Sequence, residues 1–149
     1  MDLLWLHLTI LAATAIVIAI ADHDAFQYVT GKSQVLDPKR TKLLHGLVWA
    51  GLLGMIGSSL LMAWPAIPAL ISVPGFVIKM LFVAMLVVNA IFIGDLMHVA
   101  FERPFSLLSG VEKTRLMISG AVSTIGWVGA VTAAILTFGN IISWIQGLF

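Results

Sequence analysis

The sequence predicts an all-α fold, an integral membrane four-helix bundle, and two observations lead to this class. The chain of 149 residues is 60% hydrophobic and only 10% charged, whereas soluble domains carry about 25% charged residues. It also contains four apolar runs that are long enough to cross about 30 Å of hydrocarbon as helices. We therefore expect one transmembrane domain over residues 1–149, with spans at about 3–21, 43–63, 76–98 and 116–138.

The first two spans each carry a histidine near one end. Span one is interrupted only by His7. Because Asp2 and no basic residue precede it, we expect a retained helix rather than a signal peptide. Span two has His45 in its first turn and small residues at four-residue spacing. Such rows of small residues let helices approach each other closely in lipid.

The last two spans complete the predicted bundle. Three prolines in the linker before span three predict a tight interfacial loop. Span three is expected to continue helically to Ala100, and Asn89 in its middle either bridges helices by hydrogen bonds or lines a site. Span four carries no charge, and its small residues predict another packing face. After it, Gly139 and Asn140 predict a break before an interfacial segment that contains Trp144.

The distribution of basic residues predicts the orientation of the spans. Seven of the eight lie in the linkers after spans one and three, namely Lys32, Lys39, Arg40, Lys42, Arg103, Lys113 and Arg115. Basic loops stay in the cytoplasm, so we expect a multi-pass protein of the bacterial inner membrane with both termini outside, in the periplasm. The basic residues form no helical stripe, which excludes nucleic acid as a partner. The expected partners are the lipid bilayer and further copies or subunits of a membrane complex.

Ionisable side chains within the spans form two layers. His7 and Lys79 lie at the outer end. The inner end collects Asp22, His23, Asp24, His45, Asp95, His98 and Glu102. Polar groups in hydrocarbon normally face the interior of a bundle and mark a site. Asp95 and His98 share one helix face because they are three residues apart, while helical angles measured from His7 turn Asp22 inward and His23 away.

Three interpretations of the inner layer stay open. His45 and His98, at equal depth on different helices, are candidate axial ligands of a haem, with Trp49 and Asn89 as further cofactor contacts. Alternatively, imidazole and carboxylate groups suit a Zn, Fe or Mn ion. The candidate metal ligands are Asp22, His45, Asp95 and His98. The third interpretation is that these groups only hydrogen-bond one another at a wet interface.

The corresponding functional hypotheses belong to different classes. The first is a haem- or porphyrin-binding membrane protein with a redox role. The second is a divalent-metal-binding membrane protein for transport or catalysis. The third is a non-catalytic subunit of a larger membrane complex, for which the small residues of span four would supply a contact surface.

Two stretches of sequence carry a resemblance to a known family. Span one contains LWLHLTILAA around His7, and span three reads VIKMLFVAMLVVNAIFIGDLMH with Lys79 near its start. With four spans in 149 residues, the chain resembles the HemJ-type protoporphyrinogen oxidase group and a broad set of four-span bacterial membrane proteins. The resemblance implies that His7 and Lys79 are the essential residues and that haem b is associated. It implies a haem-side role for His7 and a substrate-side role for Lys79, with Arg103 and Lys42 available to neutralise propionates.

Overall fold

The computed structural model describes the backbone of residues 2–146 and the side chains of residues 2–137. This part of the chain is helical and contains no strand. Four of its helices are long and apolar enough to cross a membrane, as the sequence predicts. The helices are α1 (Leu3–Val29), α2 (Pro38–Ala63), α3 (Ile67–Leu70), α4 (Pro74–Glu102) and α5 (Gly110–Gln146). A short 3₁₀ turn, Trp64–Ala66, lies between α2 and α3, and another, Phe105–Leu107, lies between α4 and α5.

The long helices extend beyond the predicted spans. Helix α1 does not end near residue 21 but continues through Asp22 and His23 to Val29, and Gly31 then takes a left-handed φ of 74° in the turn that follows. Helix α2 begins at Pro38, whose fixed φ suits a first turn. The Asp37 side chain accepts a hydrogen bond from the Arg40 backbone N–H at 2.9 Å. This cap explains why α2 begins well before its apolar run.

The predicted break after span four is wrong. Helix α5 continues through Gly139 and Asn140 to Gln146. One glycine inside a helix costs only about 1 kcal/mol, and a long helix has hydrogen bonds on both sides of it to hold the conformation. The backbone of the expected interfacial segment therefore belongs to α5 as far as Gln146. The Trp144 side chain and residues 147–149 lie outside the described part of the chain.

The long helices pack as two antiparallel hairpins. Helix α1 packs mainly on α2 and α4 mainly on α5, while α2 and α4 meet over a shorter stretch. In the second hairpin, a Cβ added to Gly126 would lie 2.6 Å from the Leu86 Cδ2 atom, so the glycine allows the helices to approach closely. Gly46 has no neighbour within 4 Å and Ala50 is exposed, so only part of the small-residue row predicted on α2 is a packing face.

Three opposed pairs of residues hold α1 against α2. In order along α1 from its start, the pairs are His7–Ser58, Ile10–Gly54 and Thr14–Gly51. The first is a hydrogen bond, and the other two place a side chain of α1 directly against a glycine of α2. Because the residues on each helix are three or four apart, they form one face per helix. We call this face the α1–α2 ladder.

A buried cluster closes the other end of the bundle, where α1 ends and α2 and α5 begin. We call this end the basic end, because the seven basic residues of the loops and helix ends lie there. Tyr28 is 2% exposed and packs against Ala100 and Leu108. Its hydroxyl donates a hydrogen bond to the Arg103 carbonyl oxygen at 2.7 Å. The Leu36 N–H donates to the Ala100 carbonyl oxygen at 2.9 Å, so both hairpins are joined here.

Candidate functional site

His7 lies at the N-terminal end of the bundle with one ring nitrogen held by α2. Its Nδ1 atom is 2.8 Å from the Ser58 Oγ atom. The Ser58 hydroxyl donates its own proton to the Gly54 carbonyl oxygen at 2.8 Å, so Oγ accepts the hydrogen bond from Nδ1–H of His7. In the neutral imidazole this arrangement leaves a lone pair on Nε2. That nitrogen is available to bind a metal or to accept a proton.

Lys79 lies at the same end of the bundle as His7, on the second hairpin. It lies in the second turn of α4 and is half-buried. Its ammonium group acts on the imidazole through a coulombic interaction, without a hydrogen bond between the two among the described side chains. The ion pairs among the described residues are Arg40–Asp24 and Arg103–Glu112, so no carboxylate of that part of the chain neutralises Lys79. The fold thus puts an imidazole and an ammonium from helices that are distant in sequence at one end of the bundle.

A separate cavity of about 210 Å³ lies between the hairpins, toward the basic end. All four long helices line it, and most of the lining is apolar. Its polar side chains are Asp22, Asp24, Tyr28, Thr41, His45, Asn89, Ser119, Ser123 and the indole of Trp127. No lysine or arginine of the described residues lines it, and neither His7 nor Lys79 does. The molecule therefore has two distinct polar regions, one toward each end.

His45 lines this cavity, but its Nε2 atom already has a partner. The Trp49 indole N–H donates to Nε2 at 3.1 Å. An indole N–H can only donate, so Nε2 must carry the lone pair and the imidazole is the neutral tautomer with its proton on Nδ1. Gly94 of α4 faces the same nitrogen, and a Cβ there would lie 3.5 Å from it. Nε2 can ligate an iron only if Trp49 turns away.

The acid–imidazole group at the end of α4 points away from the cavity. Asp95, His98 and Glu102 are exposed, and none of them lines the cavity. The His98 ring packs edge-on against Phe101, with ring centroids 5.6 Å apart. The helix face that does line the cavity carries Asn89, Ile93, Leu96, Met97 and Ala100. Successive residues turn by about 100°, which puts the acid–imidazole group on the opposite face.

The structure therefore does not assemble the predicted inner-layer sites. His45 and His98 do not face one cavity, so they are not placed as two axial ligands of one haem. Asp22 and His45 line the cavity, but Asp95 and His98 do not. Among the described residues, no group of three or more histidine, aspartate or glutamate side chains is arranged to hold a metal ion. The spacing correctly put Asp95 and His98 on one face, and the rotation of α4 decided where that face points.

The three polar residues near the end of α1, Asp22, His23 and Asp24, have different surroundings because successive residues turn by about 100° around the helix. Asp22 lines the cavity. His23 turns away and makes a 2.8 Å hydrogen bond with Gln27 one turn later. Asp24 lines the cavity edge, and both of its carboxylate oxygens bind Arg40, with Nε–Oδ2 at 2.6 Å and Nη2–Oδ1 at 3.1 Å. Because α1 continues as a regular helix past Ala21, the His23 side chain points away from the cavity and cannot join Asp22 there.

Asn89 bridges α4 and α5 by two hydrogen bonds. It is 7% exposed. Its Nδ2 atom donates to the Ser119 carbonyl oxygen at 3.0 Å, and its Oδ1 atom accepts from the Ser119 hydroxyl at 2.9 Å. The side-chain amide is therefore occupied on both sides, so Asn89 bridges the two helices, and it also lines the cavity.

Replacing Asn89 with leucine is expected to lower the free energy of unfolding by about 0.6–1.7 kcal/mol, the range measured for interhelical hydrogen bonds in membranes. The cost stays modest because the Ser119 hydroxyl can turn to a carbonyl of its own helix. Unfolding by sodium dodecyl sulfate in mixed micelles would measure the change. Ser123→Ala, on the same helix but in no hydrogen bond of the described residues, is the control, and an equal loss in both variants would contradict the expectation.

The haem that the resemblance implies needs both a pocket of sufficient volume and suitable donor atoms. The cavity is smaller than the roughly 300–1,000 Å³ pockets that hold drug-sized ligands, a class that includes porphyrins. A porphyrin therefore does not fit it as it stands. His7 and Lys79 supply a more suitable donor set, because one imidazole with an open Nε2 matches an axial ligand and one ammonium matches a propionate.

Two residues that make contacts at these sites do not stand out among the ionisable groups of the spans. Ser58, which orients His7, is a small residue within span two, where small residues predict helix packing. Tyr28, which closes the basic end, lies beyond the predicted span. Comparison of the chain with protein-family models, with curated proteins and with solved structures finds no match in any of the three.

Proposed function

We propose that this chain is an integral membrane protein that binds a haem or porphyrin through His7 and Lys79 and uses it in redox chemistry. One observation carries the proposal: the two residues that the resemblance marks as essential lie at the same end of the bundle, within range of a coulombic interaction, although they belong to different hairpins. The open Nε2 atom of His7 adds to it. Both residues are half-buried, which suits a site reached from within the membrane.

We further propose that the four long helices cross the bacterial inner membrane. Their outward surfaces are apolar, with Ile16, Leu81 and Ile135 each more than 60% exposed, as expected of a surface in contact with lipid. The basic residues gather at one end of the bundle, which favours that end for the cytoplasm. The His7–Lys79 site would then lie in the periplasmic half of the membrane.

Each residue of the proposed site has a separate role. The His7 Nε2 atom would ligate the iron, and Ser58 holds the ring through Nδ1 so that the lone pair stays on Nε2. The Lys79 ammonium would bind a carboxylate of the ligand. A bound haem would supply one-electron transfer, and the chain itself would bind and orient the group.

The absorption spectrum of the detergent-purified protein, before and after addition of haem, tests this proposal. We expect a Soret band that is lost in His7→Ala and retained in His98→Ala, because His98 is exposed and outside the proposed site. Lys79→Met should weaken binding and Lys79→Arg should retain it. Circular dichroism would verify that each variant stays helical. A wild-type protein that never shows a Soret band, or a band that depends on His98 and not on His7, would contradict the proposal.

Ser58 provides a more specific test of the same site. Removing the group that orients a ligating histidine typically lowers metal affinity about 10- to 100-fold, and we expect Ser58→Ala to lower haem affinity by that amount. Haem titration followed at the Soret maximum would measure it. Ser59→Ala is the matched control, since Ser59 is adjacent in sequence and makes no hydrogen bond to His7. Equal affinities in the two variants would show that Ser58 does not orient the ligand.

A further inference from the structure

The cavity near the basic end has an uncompensated negative charge on its wall. Its ionisable lining residues are Asp22, Asp24, Tyr28 and His45. The Arg40 guanidinium neutralises Asp24 through two hydrogen bonds. His45 is neutral as long as it accepts the Trp49 N–H. No hydrogen bond or ion pair among the described side chains involves Asp22, so this carboxylate dominates the charge of the cavity.

The rest of the wall is suited to an apolar group. Aliphatic side chains from all four long helices form most of it, and the Trp127 indole is part of it. An ionised carboxylate beside an apolar space is costly unless a cation pairs with it. Aromatic rings also attract organic cations through their π faces. The combination favours a ligand with a positive charge attached to a hydrocarbon or aromatic group.

We propose that this cavity is a second binding site, separate from the His7–Lys79 site, for a small lipophilic cation such as an arylalkyl ammonium. The ammonium group pairs with Asp22, and the apolar group occupies the space between the hairpins. A cavity of about 150 Å³ in another protein holds benzene, so about 210 Å³ has room for one aromatic ring with a short substituent. A metal ion would find only one uncompensated carboxylate here.

A second cavity adjoins this one on the side of the loop between α1 and α2. Its volume is about 210 Å³, and it lies against the loop of residues 30–37. Both cavities are lined by Asp24, Leu36 and Thr41. The Arg40 side chain is 58% exposed at this junction, so its ion pair with Asp24 borders water. This junction is the proposed entry for the cation.

Binding of benzyltrimethylammonium and of its neutral isostere neopentylbenzene tests the proposal. Calorimetric titration of the protein in lipid nanodiscs should show saturable binding of the cation. Asp22→Asn should weaken the affinity for the cation about 10- to 100-fold, the range for losing a contact to a charged group, and should leave the affinity for the neutral isostere unchanged. Asp95→Asn changes a carboxylate that, unlike Asp22, does not line the cavity. It is the matched control and should bind the cation like the wild type.

A cavity-filling variant tests the contribution of the cavity volume to binding separately from that of the Asp22 charge. Gly120 lines the cavity, and a Cβ there meets no atom within 4 Å. Gly120→Leu should therefore place its Cβ without a clash, occupy the space with the rest of its side chain and abolish binding of both compounds. Absence of saturable cation binding to the wild type, or cation affinity that is unchanged in Asp22→Asn, would overturn the proposal. His7→Ala should bind the cation normally, so the result does not depend on whether haem binds.

Discussion

Replacing Tyr28 with alanine is expected to lower the free energy of unfolding by about 3–5 kcal/mol, the range for truncating a large aromatic residue in a core. Tyr28 is among the most buried side chains of the described residues. Its ring meets Phe105 edge-on, with centroids 5.8 Å apart. Its hydroxyl joins α1 to the chain just beyond α4.

Two further variants separate the ring from the hydroxyl. Tyr28→Phe keeps the ring and should cost only about 1 kcal/mol, the net value of one hydrogen bond. Phe26→Ala removes an aromatic ring that is 60% exposed on the same turn of α1, and it should change stability by no more than about 0.5 kcal/mol. Detergent-induced unfolding followed by circular dichroism measures all three. If Tyr28→Ala and Phe26→Ala were equally stable, the Tyr28 cluster would not hold the basic end together.

Adding one methyl group at Gly51 is expected to cost about 1–3 kcal/mol. The added Cβ would lie 2.9 Å from the Thr14 Cβ atom and would also meet the two branches of the Thr14 side chain. Because Thr14 branches at Cβ, no rotation of χ1 removes all of these contacts. The backbones of α1 and α2 must therefore move apart. This shift would also disturb the hydrogen bond between His7 and Ser58, which lies two turns away on the same ladder.

Gly46→Ala is the matched control for Gly51→Ala. It lies on the same helix with nothing within 4 Å of the added Cβ, so it should be neutral or up to about 1 kcal/mol stabilising through helix propensity. Combining Gly51→Ala with Thr14→Ala should restore most of the lost stability, and a double-mutant cycle would give the coupling. Additive effects would mean that the two residues do not oppose each other. Gly51→Ala should also retain less haem than Gly46→Ala if His7 is the ligand.

The two polar regions show that residue spacing predicts which side chains share a helix face but not what that face contacts. Asp95 and His98 share a face, as their spacing predicts, yet that face is exposed and does not meet His45. The spacing of His45 and Trp49 is also helical, and their hydrogen bond could have been anticipated from it. This hydrogen bond occupies the His45 Nε2 atom, which a haem iron would need. Neighbours on one helix were therefore predictable, whereas neighbours on different helices were not.

The sequence by itself determined the helical class, the four long apolar helices and the gathering of basic residues at one end. These features depend on composition and on contacts within one helix, where geometry is nearly constant. Only the tertiary structure decided that His7 meets Ser58 and lies within range of a coulombic interaction with Lys79, and that Asp22 lines a cavity while His98 does not. Such pairings depend on the rotation of each helix about its axis. Packing at positions such as Gly51 and Gly126 sets that rotation, because a close approach between helices is allowed at only a few angles.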